Sequence, residues 1–163
     1  MENRTRIHLF APNLINICID TAGDGDLQGK FWQPYDVRHQ FFIGMTDLLL
    51  QMEELYNRWN YPQKALDCRT FLGETVATQP INIRKGDFRM NIQKIQDERG
   101  QKGTFIVQVQ YRQNATWQGQ VLWAEKNKKE HFRSAFELIR MIDNALSEEA
   151  ADAEETQKEK LGT

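Results

Sequence analysis

The chain has 163 residues, of which 40% are hydrophobic, 27% charged and 10% aromatic. That is enough apolar material for one ordinary core, and four Trp and nine Phe exclude a chain disordered throughout. A net charge of −2 excludes a domain that binds nucleic acid on bulk charge alone, but it conceals a segregation. Residues 1–80 carry 7 basic and 10 acidic groups, residues 81–147 carry 12 and 7, and residues 148–163 carry 2 and 6.

Met1-Glu2-Asn3-Arg4 leads into a mixed segment rather than an apolar leader, and no run of 18 apolar residues follows. Arg6 to Phe10 reads as a short strand, broken from the next by Ala11-Pro12-Asn13. Ile15, Ile17 and Ile19 then alternate with Asn16, Cys18 and Asp20, the period of a half-buried strand. Gly23-Asp24-Gly25-Asp26 supplies the turn, and Leu27, Gly29 and Phe31 resume on one face until Pro34. From His39 the period lengthens, with Phe42, Met45, Leu48, Leu49, Met52, Leu55, Tyr56 and Trp59 forming one helical stripe that stops by Asn60-Tyr61-Pro62.

In residues 61–84, Ala65 to Leu72 reads as a short helix and Thr75 to Ile83 as extended chain. Phe88, Met90, Ile92 and Ile95 read as a strand ahead of the turn-like Glu98 to Gly103. Phe105, Val107, Val109 and Tyr111 share one strand face, while Gln108, Gln110 and Arg112 take the other. Asn114-Ala115-Thr116 turns the chain into Trp117, Gly119, Val121 and Trp123, and Lys126 to Lys129 forms a loop. A second helical stripe runs from Phe132 to Leu146, with Ser134 and Glu137 at capping-box spacing. From Glu148 to Thr163 the composition predicts a disordered acidic tail.

The two halves echo each other at a constant offset of 90 residues, linking Leu14–Tyr56 with Thr104–Leu146. Only Gln28/Gln118, Gly29/Gly119, Phe42/Phe132 and Leu48/Leu138 are identical, so the signal lies in the in-phase strand and helix patterns. Shared generic spacing is the alternative. The expected fold is α+β: two tandem repeats, 1–60 and 88–147, joined by 61–87, each a small antiparallel sheet backed by a helix. A pseudo-two-fold axis would relate them, with the sheets either abutting or merging into one.

Candidate chemistry is sparse. Asp20, Asp24 and Asp26 crowd one turn, as a hard cation would want, yet a Gly-Asp hairpin explains the same residues. His8, His39 and His131 lack metal-ligand spacing, and Cys18 and Cys68, 50 residues apart, form no CxxC. The recurring Gln-Gly pair marks a sheet bend or a close ligand contact. No metal, cofactor or catalytic group is assigned, and a non-enzymatic, cytoplasmic protein is expected. The basic stretch is the one pointer to a partner, with Trp117 or Trp123 available to stack on bases if exposed.

The run Tyr111-Arg112-Gln113-Asn114-Ala115-Thr116-Trp117-Gln118-Gly119, followed by Trp123, Phe132-Arg133-Ser134 and Glu137-Leu138, resembles a group of small bacterial proteins over Thr104 to Leu146. The resemblance implies a bacterial cytoplasmic setting and a compact hairpin-helix module, and carries over no functional residue. The first half lacks that run. Divergence between the halves therefore nominates the second as the working surface: Arg112, Gln113, Asn114, Trp117, Lys126, Lys128, Lys129 and Arg133 are expected to contact a protein partner. Nucleic acid bound by the basic half, with the acidic tail modulating it, is the alternative.

Overall fold

The computed structural model describes residues 5–23, 27–73 and 91–162. Its architecture is α+β, a single six-stranded antiparallel sheet with helices packed on it. The strands are β1 (Ile15–Thr21), β2 (Gln28–Trp32), β3 (Gln40–Ile43), β4 (Gly103–Tyr111), β5 (Gln118–Trp123) and β6 (Lys128–Phe132), in the order β3-β2-β1-β4-β5-β6. The helices are α1 (Met45–Trp59), α2 (Ile92–Ile95) and α3 (Ala135–Leu161). Two three-stranded meanders thus join through β1 and β4, where Ile15 faces Val107, Asn16 faces Ile106 and Ile17 faces Phe105.

Alternation sends Ile15, Ile17, Ile19, Phe31, Phe105, Val107, Val109 and Val121 to one face. There they meet Leu48, Met52, Leu55, Tyr56 and Trp59 of α1 and Leu138, Ile142 and Ala145 of α3. Each fully buried Val, Leu, Ile, Phe or Met among them contributes about 1.5–3 kcal/mol of burial. Gly29 and Gly119 are required by close approach: a Cβ would lie 2.1 Å from the Cys18 carbonyl oxygen and 2.0 Å from that of Gln108. Each stands beside a bulge in its ladder, between Ile19 and Thr21 or between Val109 and Tyr111. The recurring Gln-Gly pair is therefore accounted for by a sheet bend. Ser134 caps α3 as its spacing predicts, its Oγ accepting from the Glu137 N–H at 3.1 Å.

The opposite face carries a smaller core of Leu9, Ala11, Leu14, Ile106 and Leu122. Here the strand expected at Arg6 to Phe10 does not form. The segment instead crosses the sheet, and the buried Gln96 amide takes the place of a ladder: its Oε1 accepts from the Leu9 N–H at 3.0 Å and its Nε2 donates to the Leu9 carbonyl at 2.8 Å. The strand expected through Ile92 and Ile95 is a helical turn, because Asn91 Oδ1 caps the Gln93 N–H at 2.8 Å; Phe88 and Met90 lie outside the described residues. Asn16 Nδ2 anchors this turn by donating to the Ile95 carbonyl at 2.7 Å.

Other expectations are corrected as well. The third strand of each meander follows the hairpin rather than preceding it: Gln40–Ile43 and Lys128–Phe132 were read as helix start and loop. Both are edge strands, where one-sided pairing weakens the alternation signal. Residues 65–72 form no helix but run irregularly beside Arg112, where the Ala65 N–H donates to the Arg112 carbonyl at 3.0 Å. Thr75 to Ile83 lies outside the described residues. The tail expected to be disordered continues α3 through Leu161. A docked helix needs no new nucleus to extend, and Ala, Glu and Lys are strong helix formers.

Candidate functional site

The two hairpins reach beneath the two helices, and the two contacts differ sharply. Under α1 lies the β4–β5 turn, built on positive φ at Asn114 and Ala115. Simple alternation places Arg112 on the polar sheet face. The bulge between Val109 and Tyr111 adds one residue, reverses the phase and turns Arg112 inward beneath α1. There it is 3% exposed, with Nε donating to the Pro62 carbonyl at 2.7 Å and Nη1 to Asn57 Oδ1 at 2.6 Å and Glu53 Oε1 at 3.2 Å. Trp117 is buried beside it, its Nε1 donating to Glu53 Oε2 at 2.7 Å and its ring standing edge-on to Tyr56 at 5.4 Å.

Burial pushes the Arg112 guanidinium below its ordinary value, and the Glu53 carboxylate opposes that shift. Burial likewise pushes the Tyr56 hydroxyl up. The chain leaving α1 closes the groove: Asn60 turns left-handed at φ 49°, and residues 62–68 fold back over Arg112. Only about 40 Å³ of free space remains. The expectation that Arg112 and Trp117 lie on a recognition surface is thus corrected; they lock the second hairpin to α1.

Ninety residues away in each case, Ala22, Gly23 and Leu27, which flank the β1–β2 turn, meet α3 with smaller groups. Ala22 stands at the position matching Arg112, Leu27 at that of Trp117, Asp143 at that of Glu53, Leu146 at that of Tyr56 and Ser147 at that of Asn57. All five line a cleft of about 710 Å³, within the roughly 300–1,000 Å³ range of ligand clefts. Ile139 and Ile142 add to its apolar wall. At the position matching Asn60 stands Ala150, where α3 continues rather than turning back. The Asp143 carboxylate is exposed and has no partner among the described residues.

The remaining expected site residues divide. Gln113 is exposed, its N–H donating to Gln118 Oε1 at 2.9 Å, and Asn114 holds the turn. Lys126 contacts Asp152 at 3.2 Å and Glu149 at 3.9 Å, and the Asp152 hydrogen bond raises its pKa. Lys126 and Lys128 lie 5.9 Å from the Trp123 ring centre. Lys129 faces Leu122 on the far side of the sheet, and exposed Arg133 pairs with Glu137 at 3.0 Å. The cations expected to act together are therefore spread over two faces and partly neutralised.

Trp123 is buried, so neither tryptophan proposed for base stacking presents an open ring. His39 packs edge-on between Trp32 and Phe41, His131 is exposed on β6, and Asp20 faces Lys30 at 4.0 Å; Asp24 and Asp26 lie outside the described residues. Sequence reasoning missed Glu53, Asn57 and the α3 wall. The one signal available was the i, i+4 spacing of Glu53 and Asn57 flanking an apolar stripe. No protein-family model matches the chain, and no curated protein or solved structure does either.

Proposed function

We propose that the chain is an internally duplicated, non-enzymatic binding protein that recognises a protein partner through its second unit, with α3 as the main recognition element. Support for duplication lies in the register. Adding 90 carries Ile17↔Phe31 onto Val107↔Val121, Ile19↔Gly29 onto Val109↔Gly119, and Gly29↔Phe42 onto Gly119↔Phe132. The pair separated by 90 residues, Asn16↔Ile106, falls inside the central ladder, where a pseudo-two-fold axis relating the units would pass. Both bulges also correspond. Generic strand spacing has no reason to give both hairpin ladders and both edge ladders the same 90-residue shift.

The observation that carries the functional reading is that, among the described residues, the hairpin-helix groove at Arg112 and Trp117 is packed shut and the one at Ala22 and Leu27 is open. A duplicated scaffold that keeps one copy sealed for stability frees the other for binding. The two free cysteines, Cys18 buried and Cys68 exposed, suit a reducing cytoplasmic setting. A photo-cross-linker placed at Ser147 or Ala150, with one at Lys64 as control, tests the reading in cells of the source organism. Cross-linking to one protein from the α3 positions alone, reproduced with that protein purified and lost on Ile139→Glu, is expected; equal labelling from Lys64 would contradict it.

One contact favours a second reading. Asp152 and Glu149 hold Lys126, so the acidic end of α3 competes for a cation of the basic half. If that half binds nucleic acid, deleting Glu148 to Thr163 raises affinity and the affinity falls steeply with salt; binding indifferent to both removes this reading.

A further inference from the structure

We propose that the cleft between the β1–β2 hairpin and α3 takes a tryptophan side chain of the protein partner, flanked by an arginine, in the place that Trp117 and Arg112 hold in the matching groove. This rests on the duplication reading and adds the chemistry of the occupant. The chain itself displays that occupant. Against α1, one carboxylate receives both the indole N–H and the guanidinium, a helix residue one turn on accepts a second guanidinium N–H, and an aromatic floor receives the indole edge.

Each of those roles persists in the cleft in shortened form. Asp143 supplies the carboxylate one methylene back from Glu53, Ser147 supplies the oxygen one turn on, and Leu146 supplies the floor. The groups that would fill the space are the ones removed: Arg becomes Ala22 and Trp becomes Leu27. What is missing from the cleft, side chain by side chain, is an indole and a guanidinium.

Charge agrees with shape. The Asp143 carboxylate is unpartnered among the described residues, whereas Arg140, the cation on the same wall, lies against the Phe136 ring at 6.0 Å. A carboxylate at the rim of an apolar wall favours a ring that carries an N–H over a plain hydrocarbon, and a neighbouring cation over an anion. Tryptophan and arginine are also the residues that most often anchor protein interfaces. Because α3 continues past Ala150, no returning segment among the described residues covers the cleft as residues 62–68 cover its counterpart.

The test uses the full chain, labelled at isoleucine and leucine methyls, titrated with a synthetic peptide copying Tyr111 to Gly119. Saturable shifts at Leu27, Ile139, Ile142 and Leu146 are expected, absent with a peptide carrying Trp117→Ala. Asp143 is exposed, so Asp143→Asn keeps the fold and is expected to weaken binding about tenfold, the loss of one charge-assisted hydrogen bond. Leu27→Trp in the protein, which fills the cleft, is expected to abolish it. No shift at these methyls with millimolar peptide, or shifts indifferent to Asp143→Asn and Leu27→Trp, would overturn the proposal. A partner identified by cross-linking that still binds the Asp143→Asn and Leu27→Trp proteins would also overturn it while leaving protein recognition by α3 standing.

Discussion

Removing the carboxylate that holds Arg112 and Trp117 is expected to cost far more than a surface ion pair would. In Glu53→Gln the guanidinium, 3% exposed, keeps the neutral acceptors Pro62 O, Asn57 Oδ1 and Tyr56 O but loses its counter-charge, and the indole loses a charged acceptor at 2.7 Å. Orphaning one partner of a buried pair costs about 3–5 kcal/mol. The Glu53 side chain is 29% exposed and three acceptors remain, so the lower end applies, about 3 kcal/mol. In a chain of this size that lowers Tm by about 6–12 °C.

Arg112→Met replaces the charge with an apolar chain of similar reach and leaves Glu53 able to hydrate, so about 1–2 kcal/mol is expected. The double variant should recover about 1–2 kcal/mol relative to the sum of the singles. Urea unfolding of all four proteins, with unchanged m-values, measures these quantities. A loss below about 0.5 kcal/mol for Glu53→Gln, or strict additivity, would refute the reasoning.

Other tests follow from the same structure. Gly119→Ala drives a methyl into the Gln108 carbonyl oxygen and is expected to destabilise by about 1–3 kcal/mol in thermal melts, as is Gly29→Ala against Cys18; neutrality at both would remove the close-approach explanation. A thiol reagent should modify one cysteine in the native protein, the exposed Cys68, and two in denaturant. Burial pushes the Cys18 thiol up to about 12. The folded state then holds a proton that the unfolded chain releases, so stability from this group is intact below about pH 8.5 and falls by about 1.4 kcal/mol per pH unit until about pH 12; Cys18→Ala should flatten that alkaline slope. Deleting Glu148 to Thr163 should lower helical circular dichroism by the contribution of residues 148–161. An unchanged helical signal would mean that the segment is not helical in solution.

Legibility in the sequence followed how strongly each pattern is constrained. The hairpin strands at Ile15, Phe31, Phe105 and Val121 have one face on the core, and both helices bury continuous stripes, so their periods stood out. Edge strands such as Lys128–Phe132, exposed at four of five positions, carry almost no alternation. Arg112 was assigned to the wrong face because a bulge changes phase without changing composition. The crossing segment at Leu9 was invisible because its pairing partner is a glutamine side chain. The open cleft was unreadable for a different reason: it is defined by what Ala22 and Leu27 lack, and that becomes visible only beside the filled groove.

Twin grooves, one sealed and one open, are tested most directly by sealing the open one. In a protein carrying Ala22→Arg, Leu27→Trp and Asp143→Glu, labelled with nitrogen-15 at tryptophan, the new indole N–H resonance is expected to be protected from solvent exchange and to show cross-relaxation with Leu146, which would take the place that Tyr56 holds against Trp117. An introduced indole that exchanges freely with water and shows no contact with α3 would contradict the equivalence of the two grooves.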